Sequence, residues 1–397
     1  MNKWLISTFV FLFLNVHAQH TPGFDAKEAR DLIQLCNSFT YLDLEGSDEA
    51  IIPADYKRVY TSPVTGMDNL FQVYVHSSGT RAVIHFRGST DQKSSWLENM
   101  YSSLVPASDT IFKGETPFLY TCALTPGAAI HAGYILGLSY CSDELVKQIQ
   151  SLNKQGIYTI YITGHSQGGA LAQMARAYLN FLPKSKISTR NSFKVYAFAN
   201  PMIGNKLFAD EYRRRFADPG YSFLIHNPED LVPKMPVSYN DTTFWKSNLQ
   251  TMLFDRDNFS FKESMKEGML NLLGSKLNKF NNGFSGNVQG QLVKLLGDFR
   301  MPAGMNEANF MHTSKPIMIP PTVYPLELKD SSILQNDSLM RIYKRDANGV
   351  FENKNLYKRD KAVLQHKPYN YYTALLKVYF TSDYDRLKYK YFVLPKE

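Results

Sequence analysis

Tyr158-Thr159-Ile160-Tyr161-Ile162-Thr163 runs without a loop into Gly164-His165-Ser166-Gln167-Gly168-Gly169, and then into residues 170–182, which hold strong helix formers and no proline before Pro183. The first part is β-branched and aromatic and is bounded upstream by Gly156, which predicts a short buried strand. The last part predicts a helix. Strand, Gly-x-Ser-x-Gly and helix in that order describe a tight turn that lifts one serine hydroxyl clear of a sheet. Gly164 and Gly168 are required there because a Cβ would meet the neighbouring strand or helix. Gly169, Ala170 and Ala172 let the helix approach closely, so its N-terminal dipole bears on Ser166.

Everything else must fit around that turn. With 397 residues, 44% hydrophobic and 20% charged, the chain has room for one large domain or two smaller ones. Residues 1–18 stand apart: Lys3 precedes an almost unbroken apolar run over 4–14, and Val16 and Ala18 are small residues at cleavage positions. This predicts a secretory signal peptide, cut near Ala18 and too short to span a bilayer. No cysteine follows the cut to carry a lipid, and no later stretch has the apolar length of a transmembrane helix, so an exported protein, periplasmic or secreted, is expected. Three cysteines, Cys36, Cys122 and Cys141, leave at least one unpaired; Cys122 and Cys141 are close enough in sequence to bridge, and buried free thiols are the plainer expectation. No His/Cys spacing suits zinc and no Asp/Asn-rich loop suits calcium, so no metal is expected. The formal charge of +8 is scattered in short runs such as Arg213-Arg214-Arg215, which argues against a nucleic-acid stripe while favouring anionic surfaces.

Along the chain, Asp25 and Glu28 predict a capping box opening a helix over 26–38. Strands are predicted over 70–76 and 81–86, joined by the hairpin signal Ser77-Ser78-Gly79-Thr80. A helix over 132–152 precedes the central strand. A strand over 193–199, a helix over 206–216 and a strand over 221–225 follow. Strands alternating with helices from 130 to 230 predict a mostly parallel sheet covered on both faces, with ligand sites at the carboxyl ends of its strands, where Ser89, Ser166 and Asp230 all fall. After residue 241, Phe261, Met265, Met269, Leu272, Leu273, Leu277 and Phe280 recur at helical spacing, and Leu292, Leu295, Leu296 and Phe299 follow the break at 281–287. That pattern predicts a helical hairpin, with most of its apolar residues in ordinary core contacts. Residues 316–325 look extended, and Asp346-Ala347-Asn348-Gly349 predicts a hairpin turn between strands over 340–344 and 350–353.

Five motifs in this order, Phe86-Arg87-Gly88-Ser89 with Trp96 downstream, His131-Ala132-Gly133-Tyr134, Gly164 to Gly169, Asn200-Pro201-x-x-Gly204-Asn205 and Asp230-Leu231-Val232-Pro233, resemble the class 3 lipases, the fungal-lipase-like branch of the α/β-hydrolase fold. The resemblance spans about 25–240. Gln167 stands where that family more often has Leu, and Asn200 where it more often has Gln. The resemblance implies an α/β fold of the α/β-hydrolase type over 19–397, a mostly parallel sheet with helices on both faces. Residues 242–336, ahead of the catalytic histidine, depart from the compact family pattern, and their helical spacing predicts an inserted helical segment. The resemblance also implies a serine carboxylic-ester hydrolase acting on triacylglycerol-like lipids without a cofactor, with a lipid–water interface as a partner. A phospholipase or an esterase for small esters would use the same turn, and an inactive relative that binds lipid or protein is the rival from another class.

A neutral serine hydroxyl needs an imidazole to take its proton and a carboxylate to orient that imidazole. Asp230, at a strand end and in the motif Asp-x-Val-Pro, is the expected acid, with Glu229 its rival. His226 is too near Asp230 in sequence to fold back, so His366 is the expected base and His312 the alternative. His366 opens an aromatic helix-like run, as the family's late histidine does. His85, His131 and His165 are expected to be structural. The backbone amides of Gln167 and, by the resemblance, Ser89 would form the oxyanion hole, with the Ser89 hydroxyl a further donor and Arg87 supporting that loop. Residues 91–99, with Trp96 and Leu97, stand where the family carries its lid.

Overall fold

The computed structural model describes residues 19–37, 52–90, 92–236, 277–305, 309–357 and 362–392. The predicted signal peptide and the apolar set over 261–273 lie outside them. The elements in order are α1 (Ala26–Asn37), β1 (Tyr56–Thr61), β2 (Phe71–His76), β3 (Arg81–Phe86), α2 (Lys93–Met100), β4 (Leu104–Pro106), β5 (Ser108–Lys113), β6 (Thr116–Thr121), β7 (Ala129–His131), α3 (Ala132–Lys154), β8 (Thr159–His165), α4 (Gln167–Asn180), β9 (Ser192–Phe198), β10 (Gly204–Asn205), α5 (Lys206–Tyr212), β11 (Ser222–His226), α6 (Leu277–Leu296), β12 (Phe299–Arg300), β13 (Phe310–Met311), β14 (Ile317–Met318), α7 (Asp337–Ile342) and α8 (Pro368–Tyr379).

The main sheet runs β1-β2-β3-β8-β9-β11-β14. The β1–β2 and β2–β3 pairings are antiparallel, and every pairing from β3 to β14 is parallel. A parallel sheet must be buried on both faces because its crossovers lie on them, and the side chains divide accordingly. Ala82, Ile84, Phe86, Ile160 and Ile162 pack into one core with α3 and α4. Val83, Tyr161, Tyr196 and Ile225 pack into a second core with α1 and α8. The alternation within each strand is what lets one sheet serve both layers. At about 25 cal/mol per Å² of apolar area, each fully buried large side chain contributes about 1.5–3 kcal/mol, so these two cores dominate the stability.

Several local expectations change. The Asp25 side chain accepts from the Lys27 and Glu28 amides at 2.7 and 2.9 Å. Glu28 does not complete the box: its carboxylate turns inward and pairs with Lys194 at 2.7 Å, and it accepts from Tyr161 and Tyr196 at 2.5 and 2.6 Å. A nearly fully buried ammonium claims that carboxylate, and the Asp25 amide donates instead to the Tyr196 hydroxyl at 3.0 Å. No helical break occurs at 281–287, for α6 is continuous through Gly283 and Gly286. Each glycine costs a helix about 1 kcal/mol, which burial of Val288 and Leu292 in the first core offsets. The helix over 206–216 ends in a π-helical turn at Arg213–Ala217. Around Asp346 the turn forms, but its arms meet only at the Arg345–Phe351 bridge, because Met340 belongs to α7. The three cysteines are unbridged and buried. No helix among the described residues is long and apolar enough to cross a membrane.

Candidate active site

Ser166 sits between β8 and α4 with φ 59° and ψ −131°, a left-handed conformation that a residue bearing a Cβ rarely adopts. Glycines make the strained turn fit. A Cβ on Gly164 would lie 2.2 Å from the Gly168 carbonyl carbon, and one on Gly168 would lie 2.2 Å from the Phe86 carbonyl oxygen. The strand and helix are thereby pressed together at the serine, with the first turn of α4 beneath it.

Ser166 Oγ lies 2.8 Å from His366 Nε2, and His366 Nδ1 lies 2.8 Å from Asp230 Oδ2. The three residues arrive on three separate loops at one end of the sheet. Asp230 follows β11 in a turn closed by its own amide on the Asn227 carbonyl, and its Oδ1 accepts from the Val232 amide at 3.0 Å. His366 ends a 3-10 turn just before α8. Asp230 is 1% exposed and His366 is 19% exposed, so the carboxylate is shielded while the imidazole edge reaches the surface beside Ser166. The rival acid, Glu229, faces solvent. His312, the alternative base, lies instead against the His226 ring at 4.9 Å, and burial brings it down to about 4.

Sequence reasoning missed Tyr371. One and a half turns beyond His366 and fully buried, it donates to Asp230 Oδ2 at 2.8 Å and accepts from the Asn227 amide at 3.1 Å. Burial, and secondarily the Asp230 charge, raises its phenol well above the ordinary range, so it remains a donor. Gln365 was missed as well: it accepts from Asn227 Nδ2 at 2.8 Å, tying the two loops together. Only the fold brings these residues to Asp230; the sequence signal was their position around His366. His165 packs edgewise on Tyr371 and 4.6 Å from the His366 ring. Burial first, then the His366 charge, keeps its imidazole neutral.

On the other side of Ser166, Gly88 brings the Ser89 loop against the turn: a Cβ there would lie 2.9 Å from the His165 carbonyl oxygen and 3.7 Å from Ser166 Cβ. Arg87 braces that loop, donating to the Asp68 carbonyl at 2.6 Å and pairing with its carboxylate at 3.0 Å. The Ser89 hydroxyl donates to Gln167 Oε1 at 2.7 Å. Trp96 is half-buried on α2 and Leu97 is 4% exposed in the first core. Among the described residues no group of three His, Cys, Asp or Glu side chains could hold a metal ion.

Residues 83–240 match the family model described as lipase (class 3). A secreted mono- and diacylglycerol lipase of Fusarium solani is 26% identical over 29% of this chain and 32% of its own length. Another from Penicillium cyclopium is 25% identical over 44% of this chain and 50% of its own. The chain thus spans a third to a half of the length of these curated relatives. A lipase structure from Yarrowia lipolytica aligns over 55% of this chain and 77% of that one, at 18% identity and a TM-score of 0.40. The match begins inside β3, crosses the strained serine turn and ends just beyond Asp230, so the segment of this chain that carries Ser166 and Asp230 is similar to the class 3 lipases.

Proposed function

We propose that the protein is a serine hydrolase that cleaves carboxylic ester bonds of lipids through an acyl-enzyme. The observation that carries this reading is the unbroken line Ser166 Oγ, His366 Nε2, His366 Nδ1, Asp230 Oδ2, with 2.8 Å at each link. The donor directions follow from the network: an acceptor carboxylate at Nδ1 puts the imidazole proton there and leaves Nε2 free to take the serine proton.

In the proposed cycle Ser166 Oγ attacks the ester carbon as His366 takes its proton. The carbonyl oxygen becomes an oxyanion, held by the amides of Gln167 and Ser89 and by the N-terminus of α4. The intermediate collapses, the carbon–oxygen bond to the alcohol breaks, and His366 returns the proton to that leaving oxygen. A water then attacks the acyl-serine with His366 again as base, releasing the acid and the Ser166 hydroxyl. Asp230 orients the ring and stabilises the imidazolium. Acylglycerols are the proposed substrate class, supported by the names of the relatives, and export is supported by those same names together with residues 1–18.

The test is covalent labelling by a fluorophosphonate, read with hydrolysis of p-nitrophenyl butyrate and palmitate. Ser166→Ala and His366→Ala should lose both labelling and turnover, while His312→Gln should keep both. An unmodified protein that takes no label, or a His366→Ala variant that labels normally, would overturn the assignment.

A further inference from the structure

Helix α2 is built into the body of the protein more deeply than a cover that swings. On one side it rests on α3 at Gly133 and Gly137, four residues apart on one face. A Cβ at Gly133 would lie 2.0 Å from the Glu98 carbonyl oxygen, and one at Gly137 would lie 2.2 Å from Glu98 Oε1. On the other side α2 packs against α6, whose Val288 and Leu292 share a core with Leu97 and Tyr101. Tyr134 of α3 donates to Asn99 Oδ1 at 2.9 Å.

At the centre of this seat is the side chain of Gln167, the residue directly after Ser166 and 2% exposed. Its Oε1 accepts from Ser89 Oγ at 2.7 Å, Ser95 Oγ at 3.0 Å and Asn99 Nδ2 at 3.1 Å. Its Nε2 donates to Glu98 Oε2 at 2.8 Å and Asn69 Oδ1 at 3.3 Å. An amide has two lone pairs and two N–H donors, so three donors sharing Oε1 and two acceptors at Nε2 leave none of its capacity unused. Every partner belongs to α2, to the Ser89 loop or to the loop before β2. Lifting α2 would strip this amide of three partners and draw a fully buried carboxyl group out of its slot. A leucine at 167 could make none of these bonds.

Resting on the ester-hydrolase reading above, we propose that α2 is a fixed wall of the site and that the Gln167 side chain is a positioning residue, which holds the Ser89 loop and the serine turn in working register in water, without a lipid surface. Glu98 supports this as an acceptor: its Oε2 takes both the Asn69 and the Gln167 N–H at 2.8 Å, which an amide oxygen could also do, and burial raises its carboxyl well above the ordinary carboxylate range. Glu98→Gln is therefore close to an isosteric replacement.

The experiment follows p-nitrophenyl butyrate turnover through the ester's solubility limit, alongside fluorophosphonate labelling and circular dichroism. The wild-type rate should saturate smoothly with no upward break where droplets form. Gln167→Leu should lower kcat roughly tenfold, as expected for a small displacement of oxyanion donors, with KM within about twofold because no substrate contact is lost. Glu98→Gln should retain wild-type kcat within about threefold, and Glu98→Ala should fall with Gln167→Leu. Should Gln167→Leu fail to fold, Ser95→Ala, which deletes one donor, should lower kcat in the same direction by less. An upward break in the wild-type rate, or an unchanged kcat in a folded Gln167→Leu or Ser95→Ala, would overturn this proposal alone. A wild type inert to p-nitrophenyl butyrate and unlabelled by the fluorophosphonate would take the ester-hydrolase reading down with it.

Discussion

Replacing Tyr371 by phenylalanine deletes one hydroxyl from behind Asp230 and leaves the ring in place. Two consequences can be worked from the geometry. The bond to a buried carboxylate, 2.8 Å long, contributes about 1.5–3 kcal/mol, and the Asn227 amide that the same oxygen accepts at 3.1 Å would lose its partner at a cost of about 1–3 kcal/mol. Tyr371 is 0% exposed, so water has no path to replace the missing oxygen. Allowing for relaxation, the variant should be about 2–4 kcal/mol less stable, or about 2–5 °C lower in Tm for a chain of this size. The effect on chemistry should be smaller, because the His366 contact to Asp230 remains. A loss of about 1.4 kcal/mol in the transition state is a tenfold drop in kcat, and KM should hold, since the hydroxyl lies on the far side of Asp230 from the serine. Calorimetry and steady-state hydrolysis of p-nitrophenyl butyrate read the two effects. A Tyr371→Phe variant with wild-type Tm and kcat would show that the residue only fills space. One as inert as Ser166→Ala would show that the carboxylate cannot work without it.

Two further outcomes concern the scaffold. Burial lowers His20 to about 4 and His85 and His131 to about 3, and lowers His165 and His226 well below the ordinary range. These folded values lie below the unfolded one, so the stability the neutral rings contribute is complete above about pH 6.5 and is lost as pH falls toward the folded values. Each ring costs up to about 1.4 kcal/mol per pH unit, so urea midpoints should drop steeply between pH 7 and 5, and a flat profile would contradict the assignment. Lys194→Met should destabilise the fold by about 3 kcal/mol through the stranded Glu28 carboxylate, with kcat within about twofold of wild type. An equally stable Lys194→Met would mean the pair is dispensable.

The parts of the fold that could be read from sequence were those governed by local rules. The β2–β3 hairpin, β8 with its serine turn, and α3 carry their periodicity and punctuation in consecutive residues, and their boundaries differ from expectation by a residue or two. The places where reading failed are those where a distant partner decides. Glu28 looked like a capping residue because Asp25 stands three positions before it; only the fold shows Lys194 beneath it. The run at 281–287 looked like a break because glycine and asparagine usually end helices, yet the core holding Val288 and Leu292 carries α6 through. In the site, Ser166, Asp230 and His366 each sat in a motif and could be nominated singly. Tyr371, Glu98 and Asn99 work through contacts across the fold; nearness to His366 in the chain marks the place of Tyr371 but not its bond to Asp230.

The steric crowding at Gly164 and Gly168 has a bearing on how such chains are recognised. A Cβ added at either position would lie 2.2 Å from a backbone atom, whatever stands at position 166. A descendant that had lost the serine, and all reactivity with it, would still be compelled to keep both glycines in order to fold. The most recognisable part of this signature therefore records the shape of a crossing between strand and helix, and evidence of chemistry has to be sought in the three side chains that the crossing presents.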